Sequence, residues 1–210
     1  MIPVVAASQT KEVTDKITYE EFLEKYADRH AEWVDGEVIL LMTASNKHQD
    51  LVDWLIAILR MFIETYDLGW IRSAPFNMHM PHLGRGREPD ILFVTKDRLQ
   101  IVQSSNLSEA ADLVIEIVSP ESIERDRGSK FVEYEAAGVR EYWLIDPERE
   151  QAEFYQLTET GRYRLVRLSE DNIFWSTVLA NFWFKVDWLW QEPLPKVLVV
   201  ARELGLLGEL

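Results

Sequence analysis

The chain has 210 residues, of which 47% are hydrophobic, and this length and composition suit one globular domain with a sizeable buried core. With 36 acidic against 22 basic side chains, the net charge of −14 repels nucleic acid at long range, so any contact with DNA requires a local basic patch. Cysteine is absent, which excludes disulfides, thiolate metal sites and a cysteine nucleophile.

The sequence contains neither of the usual signals for a membrane or for secretion. No run approaches the roughly 20 apolar residues that a membrane-spanning helix needs. The N-terminal sequence MIPVVAASQTKEVTDK lacks the basic start and the apolar centre of a signal peptide. We therefore expect a cytoplasmic protein without a membrane partner.

The first part of the chain is predicted to start with a flexible arm, residues 1–16. Thr18 and Glu21 have the spacing of a capping box, which indicates that a first helix begins here. The segment AEWVDGEVILLM predicts two short strands joined at Asp35-Gly36, a dipeptide suited to a tight hairpin. Apolar residues then recur at helical spacing and predict a long helix from about Asn46 to Tyr66, with Gly69 marking its end.

The remaining chain alternates strand and helix patterns. GWIRSAPFNMHM is predicted as a strand, PHLGRGREP as a loop, and DILFV and DLVIEIVS as buried strands. A helix follows Pro120 and stops at Gly138, and the later segments REYWLID, QAEFYQL and GRYRLVRL supply further strands. FWFKVDWLW is predicted to form a last strand and a short aromatic helix. These elements predict an α/β domain over residues 17–190, with a central mixed β-sheet flanked by helices. Residues 191–210 are predicted as a linker and a C-terminal helix.

Two acidic side chains occupy unusual positions in this pattern. Asp90 lies at the mouth of the DILFV strand, and Glu116 interrupts an otherwise apolar strand. A lone buried carboxylate is costly to ionise, so such a residue usually has a specific partner or faces a polar cleft. If the two strands are neighbours, the carboxylates converge, and at about 4 Å they would repel each other by roughly 4 kcal/mol at an effective dielectric near 20.

A divalent cation would reverse the sign of that interaction. Oxygen ligands favour Mg²⁺ or Mn²⁺, and the backbone carbonyl of Ile117 lies near the same edge as Glu116. Lys130 would supply a cation from the following helix, and Tyr134 shares its helical face. The alternative is a buried acid paired with a lysine for a structural purpose, and spacing leaves both interpretations open.

Four arginines near these positions are candidates for contact with phosphate. Arg85 and Arg87 belong to GRGRE, and Arg125 and Arg127 precede Lys130. The alternative is that all four are solvated loop charges.

Read in order, the acidic motifs resemble the PD-(D/E)XK nuclease signature, with EPD at 88–90 and EIV at 116–118. More narrowly, the chain resembles the Uma-two family of restriction-endonuclease-like proteins. This resemblance is carried by AEWVDGEVI, GREPDILFV, LVIEIVSPES, DRGSKFVEYEAAGVREYWLIDP and LANFWFKV, and it covers about residues 18–190. It implies a restriction-endonuclease-like fold, with Asp90 and Glu116 as metal ligands and Lys130 as the catalytic cation.

Three positions qualify the resemblance. Val118 stands where the general signature has its lysine, and the family lysine comes from the following helix, which points to Lys130. Glu32 corresponds to a family acid that could enter the site as a third carboxylate, or it could be a surface acid of the hairpin. His48 is either a residue at the edge of the site or a polar contact at the start of the long helix.

These observations predict a metal-dependent endonuclease that hydrolyses phosphodiester bonds, with Mg²⁺ or Mn²⁺ as cofactor and DNA as substrate. RNA remains open as a substrate. The alternative is a nuclease-fold module with weak or no catalysis, which binds or regulates as a dimer or with a partner that supplies a basic surface. We expect a homodimer, for which the apolar C-terminal helix is the candidate interface.

Overall fold

The computed structural model describes residues 16–42 and 45–207, so the predicted N-terminal arm lies outside the described residues except for Lys16. Its α-helices in chain order are α1 (Tyr19–Tyr26), α2 (Asn46–Tyr66), α3 (Phe131–Ala137) and α4 (Val197–Glu203). A π-helix at Arg125–Lys130 leads directly into α3. None of the helices in the described part of the chain combines the length and the apolar character needed to cross a membrane.

The strands form two large sheets and one small hairpin. In chain order they are β1 (Ala31–Val34), β2 (Glu37–Leu40), β3 (Gly69–Ser73), β4 (Asn77–Met80), β5 (Arg85–Arg87), β6 (Ile91–Thr95), β7 (Asn106–Leu107), β8 (Leu113–Ile117), β9 (Glu141–Asp146), β10 (Gln151–Leu157), β11 (Tyr163–Leu165), β12 (Ile173–Trp175) and β13 (Trp183–Lys185). The six-stranded sheet has the order β11-β10-β9-β8-β6-β3, the five-stranded sheet has the order β2-β1-β5-β4-β7, and β12 pairs with β13.

The six-stranded sheet is mixed, because β8 and β9 run parallel whereas its other pairs are antiparallel. This confirms the predicted α/β class with a mixed sheet and flanking helices. The second large sheet was not separated from the first in the sequence pattern.

Local signals in the sequence determine where the first two helices begin. The Thr18 hydroxyl accepts a hydrogen bond from the Glu21 N–H, and the Glu21 carboxylate accepts one from the Thr18 N–H, which confirms the capping box. Helix α2 begins after Ser45, whose side chain caps the His48 N–H. The predicted end signal was wrong, because Asp67 at φ 52° stops α2 and Gly69 opens β3.

Two predictions about strands were also wrong in detail. The segment GWIRSAPFNMHM forms two strands in different sheets, β3 and β4. Pro75 lies between them, and proline has no backbone N–H that could donate a hydrogen bond to a neighbouring strand. The predicted loop GRGREP contains β5, which pairs with both β1 and β4. The C-terminal helix, α4, is shorter than the apolar pattern suggested.

Side chains along the central strands alternate between the two faces of the six-stranded sheet, so the hydrophobic core has two parts, one on each face. Odd-numbered residues such as Ile115 and Ile117 pack with the apolar face of α2 and with residues of α4. Even-numbered residues such as Val114 pack with Tyr134 of α3 and with the five-stranded sheet. Glu116 belongs to this second face, so the fold places its carboxylate between the six-stranded sheet and the segment that carries Lys130.

Candidate active site

The Glu116 carboxylate is buried, with only 3% of the residue exposed. Its Oε1 accepts hydrogen bonds from Lys130 Nζ and from the Tyr134 hydroxyl, each at 2.7 Å. These contacts are the specific partners that a carboxylate within an apolar strand requires. No hydrogen bond among the described residues uses the other oxygen, Oε2.

Asp90 lies beside Glu116, because β6 and β8 are antiparallel neighbours with Ile91 opposite Ile115. The Asp90 Oδ2 accepts hydrogen bonds from the Ile117 N–H at 2.6 Å and, when His48 Nε2 carries the proton, from His48 at 3.2 Å. Its Oδ1 has no hydrogen bond to any described residue. The expected convergence of the Asp90 and Glu116 strands is therefore present, and each acid keeps one oxygen uncommitted.

The π-helix and α3 align three inward side chains at intervals of four residues. Asp126, Lys130 and Tyr134 are all buried, at 1%, 1% and 0% exposure. The wide turn of a π-helix is uncommon and often occurs at functional sites. Here it brings Lys130 Nζ to 3.5 Å from Asp126 Oδ1 while the ammonium also bonds Glu116.

Glu32 enters the same cluster from β1. Its Oε1 lies 3.1 Å from Lys130 Nζ, and its Oε2 accepts a hydrogen bond from Arg87 at 2.6 Å. The side chain is completely buried, so the interpretation as a surface acid of the hairpin was wrong. Its role as a third carboxylate of the site stays a prediction.

Opposing influences shift the pKa values of these groups in different directions. Burial alone would raise the pKa of Glu32, but Lys130, Arg87 and Arg125 outweigh burial and lower that pKa to about 2. For Glu116, burial together with the charges of Asp126 and Asp90 raises the pKa above its ordinary value, and the neighbouring Lys130 opposes this shift. The carboxylates in turn raise the pKa of Lys130 above its ordinary value, against the effect of burial, so its ammonium remains charged.

His48 is held at the edge of this cluster. Burial alone would lower its pKa, but the hydrogen bond and the charge of Asp90 raise the pKa above its ordinary value. The ring Nδ1 is buried without a hydrogen-bond partner among the described residues. The placement agrees with a residue at the edge of the site, and the backbone N–H of His48 also takes part in the N-terminal cap of α2.

The four arginines that were predicted to contact phosphate lie in different environments. Arg87 is buried and bonds Glu32 and Glu133, and Arg85 bonds Glu133 and Asp35. Arg127 pairs with Glu153 at the other side of the π-helix.

Arg125 lines the cleft that contains Asp90 and Glu116, and its Nε lies 3.9 Å from Glu32 Oε2 and 3.7 Å from Asp126 Oδ1. The interpretation of the four arginines as solvated loop charges was wrong, because acidic side chains pair with all of them. Their contact with phosphate stays a prediction, and Arg125 is the one of the four that lines the cleft.

The cleft has a volume of about 680 Å³ and opens onto Asp90, Glu116, Ile117 and Lys130. Its rim includes the first turn of α2, where Lys47 donates a hydrogen bond to the Pro147 carbonyl at 2.9 Å. Within residues 16–42 and 45–207, no group of three or more histidine and acidic side chains is arranged to hold a metal ion. The Lys130 ammonium lies within 4 Å of three of the acids, Glu32, Glu116 and Asp126.

Two members of the cleft were missed by sequence reasoning. Asp126 had only the four-residue spacing to Lys130 as a signal. Glu88 belongs to the quoted EPD motif, yet nothing local indicates that His30 Nδ1 lies 2.7 Å from its Oε1. Burial raises the pKa of Glu88 to about 7, although His30 opposes this shift.

A family model described as "Putative restriction endonuclease", named Uma2, matches residues 19–187. The chain belongs to the Uma2 family. This match confirms the family resemblance and supports a nuclease-like role. No curated protein matches this Uma2 chain in sequence.

A solved structure has a similar fold. It is described as a putative nuclease belonging to DUF820 from Anabaena variabilis, and it is 16% identical in sequence with a TM-score of 0.67. The match covers 83% of the Uma2 chain and 97% of the other chain. At this identity the similarity establishes the α/β fold alone.

Proposed function

We propose that this Uma2 protein is a metal-dependent endonuclease that hydrolyses phosphodiester bonds in DNA. The observation that carries the proposal is the convergence of Asp90, Glu116 and Lys130 at one cleft. Lys130 Nζ lies 2.7 Å from Glu116 Oε1, and the Asp90 carboxylate accepts the N–H of Ile117, the residue after Glu116.

The donor set fits a hard divalent cation such as Mg²⁺ or Mn²⁺. Asp90 Oδ1 and Glu116 Oε2 take part in no hydrogen bond among the described residues, and carboxylate oxygens are the ligands that such cations prefer. The Ile117 carbonyl is the third proposed ligand. When bound, the cation supplies an activated water and neutralises charge on the scissile phosphate.

The side chains of the chain itself have separable roles in this proposal. Lys130 orients the attacking water and donates hydrogen bonds to the phosphate oxygens, on which negative charge develops during the reaction. Tyr134 fixes Glu116 Oε1, and His48 fixes Asp90 Oδ2, so each acid presents its other oxygen to the cleft. Arg125 binds a neighbouring phosphate at the cleft wall.

Cleavage of a supercoiled plasmid tests the proposal. With Mg²⁺ or Mn²⁺ we expect nicked and linear products, and we expect none with EDTA. Asp90→Ala and Lys130→Ala should each lose about 100-fold or more in rate, because the first removes a proposed metal ligand and the second removes the cation that orients the attacking water. Labelled single-stranded DNA and RNA, run in parallel, determine the substrate.

Two exposed residues outside the cleft provide matched controls. Asp97→Ala and Lys96→Ala remove the same types of charge from a surface segment and should retain the wild-type rate. Undiminished cleavage by Asp90→Ala and Lys130→Ala would contradict the proposal.

The pairing of Arg85, Arg87 and Arg127 with internal acids favours a second candidate, a nuclease-fold module that binds or regulates. Together with a net charge of −14, this pairing leaves little free positive charge for tight binding to DNA without a partner. A partner subunit or a second copy of the chain would supply the positive charge that DNA binding requires. Folded wild-type protein that neither cleaves nucleic acid nor binds Mg²⁺ or Mn²⁺ in calorimetry would favour this candidate.

The homodimer stays a prediction. Leu198 and Val199 of α4 are 65% and 50% exposed, which agrees with the predicted interface on the C-terminal helix. Light scattering of the purified protein measures the assembly state directly.

A further inference from the structure

The Lys130 ammonium has more acidic neighbours than its proposed role in water activation requires. It donates one hydrogen bond, to Glu116 Oε1, although an ammonium has three N–H donors. Two further carboxylates face it from different elements. Glu32 on β1 approaches to 3.1 Å, and Asp126 on the π-helix approaches to 3.5 Å.

The facing oxygens of these two carboxylates are buried and without hydrogen bonds. Glu32 Oε1 and Asp126 Oδ1 have no hydrogen-bond partner among the described residues, and their side chains are 0% and 2% exposed. A buried carboxylate oxygen without a partner is costly. Both oxygens face the Lys130 ammonium, which has donors that Glu116 does not use.

We propose that Glu32 and Asp126 form a cradle that positions the Lys130 ammonium when Glu116 engages a cation. The inference rests on the proposed function, since it concerns what happens at the same site when metal binds. Glu32 and Asp126 are positioning residues, because they act through Lys130.

The cradle solves an electrostatic problem of the site. A cation bound by Asp90 and Glu116 would neutralise the negative charge that attracts Lys130. It would also repel the Lys130 ammonium. Without other acids, Lys130 would move away from the reacting phosphate. Asp126 lies one turn before Lys130 in the same π-helix, and Glu32 is fixed from β1 by Arg87, so neither depends on Glu116 for its position.

The first test follows the ammonium of Lys130 without using activity. In ¹⁵N-edited spectra a buried, held ammonium exchanges its protons slowly and gives an observable signal, which Lys130→Arg assigns by removing it. Glu116→Gln neutralises Glu116, as a bound cation would. We expect the Lys130 signal to persist in Glu116→Gln and to be lost in the double variant Glu116→Gln/Asp126→Asn.

Loss of the signal in folded Glu116→Gln would overturn the proposal, because Glu32 and Asp126 would then be unable to hold the ammonium alone. This outcome is decisive even if the double variant fails to fold. Persistence of the signal in a folded double variant would remove Asp126 from the cradle and would overturn the proposal as well.

The second test is kinetic. Asp126→Asn should lower kcat about 10-fold to 100-fold, the usual cost of losing a group that orients a reacting residue, and leave KM for DNA unchanged. Asp126→Glu, which keeps the charge, should recover part of the rate. Full kcat in Asp126→Asn would overturn the proposal.

Asp112→Asn is the matched control. Asp112 is equally buried but lies at the other end of β8, where Arg98 and Arg140 bind it. This variant should keep kcat despite a similar loss of buried charge. If the wild type cleaves nothing with Mg²⁺ or Mn²⁺, the proposed function fails, and the ammonium spectra still decide the cradle.

Discussion

Arg87 is a buried cation whose acidic partners come from separate parts of the chain. It bonds Glu32 on β1 and Glu133 on α3, and only 3% of the residue is exposed. Buried ion pairs add little net stability when complete, because desolvation offsets their attraction. Removing one member, however, leaves a buried charge without compensation. Arg87 therefore connects the five-stranded sheet to α3, and removal of its charge should destabilise the folded protein.

Arg87→Met should lower the free energy of unfolding by about 3–5 kcal/mol, since Glu32 and Glu133 lose a buried partner. Urea denaturation measures the change. Arg162→Met is the control, because Arg162 pairs with Glu135 at 78% side-chain exposure and its loss should cost at most about 1 kcal/mol. Equal losses in the two variants would contradict this prediction.

His79 should make stability depend on pH. Its ring stacks on Tyr19 at 3.5 Å between centroids, and burial lowers its pKa below the ordinary 6.5, with partial opposition from Glu20. The folded state therefore binds the proton less readily than the unfolded chain. The corresponding stability is present above pH 6.5 and is lost as pH falls through the lower pKa of the folded state.

His79→Phe keeps an aromatic ring against Tyr19 and removes the titration. Between about pH 7.5 and 5, the free energy of unfolding should fall less in this variant than in the wild type. Thermal or urea unfolding at several pH values measures the difference. Parallel pH profiles for the two proteins would show that His79 does not contribute.

At the scale of elements, β5 depends on a glycine that allows α1 to approach closely. A Cβ built on Gly86 would lie 2.5 Å from Tyr19 Cε2 and 2.8 Å from Asn77 Oδ1. Tyr19 also donates a hydrogen bond to Asn77 at 2.7 Å, so neither group can move without loss. The absence of a side chain at position 86 therefore fixes how α1 packs on the five-stranded sheet.

Gly86→Ala should destabilise the protein by about 1–3 kcal/mol, the usual cost of overpacking. Gly128→Ala in the π-helix is the control, because a Cβ there meets nothing within 4 Å and should change stability by less than about 1 kcal/mol. Melting temperatures of the two variants decide this, and a Gly86→Ala variant as stable as the wild type would contradict it.

How far an element could be predicted depended on whether its signal is local. The period of apolar residues predicted α2 from about Asn46 to Tyr66, and these are its bounds in the structure. The strand β5 was missed because three residues rich in Arg and Gly carry no strand pattern, and their pairing with β1 and β4 is set by tertiary contacts.

The same distinction applies to the candidate site. Asp90 and Glu116 were visible because an acid beside or within an apolar strand violates the local pattern. Asp126 and Glu88 lie among other charged residues, where an acid needs no explanation. Their burial results from partners on distant elements, which one sequence without tertiary contacts cannot indicate.

At the scale of the whole molecule, the C-terminal segment completes the core around α2. The Trp54 indole donates a hydrogen bond to the Pro195 carbonyl at 2.6 Å. Val200 and Leu204 are 0% and 8% exposed and belong to the same apolar cluster as α2. The linker and helix predicted for residues 191–210 thus share their packing with the preceding domain.

A chain that ends at Gln191 should lose about 3–6 kcal/mol of unfolding free energy from Val200 and Leu204 alone, at about 1.5–3 kcal/mol for each buried side chain. Urea denaturation compares it with the full chain. Leu198→Ala, at a position that is 65% exposed, should change stability little. A truncated chain as stable as the full one would contradict the prediction.

The dependence of α2 on late residues also has a consequence for synthesis on the ribosome. Part of the apolar face of α2 is covered by late residues, because Trp54 packs against Phe184 and Phe62 packs against Phe182, both of which are translated well after Tyr66. At about 5–20 residues per second, the helix spends on the order of 10 s as a nascent segment with that part of its apolar face uncovered. The protein should therefore need a chaperone during translation more than its small size suggests.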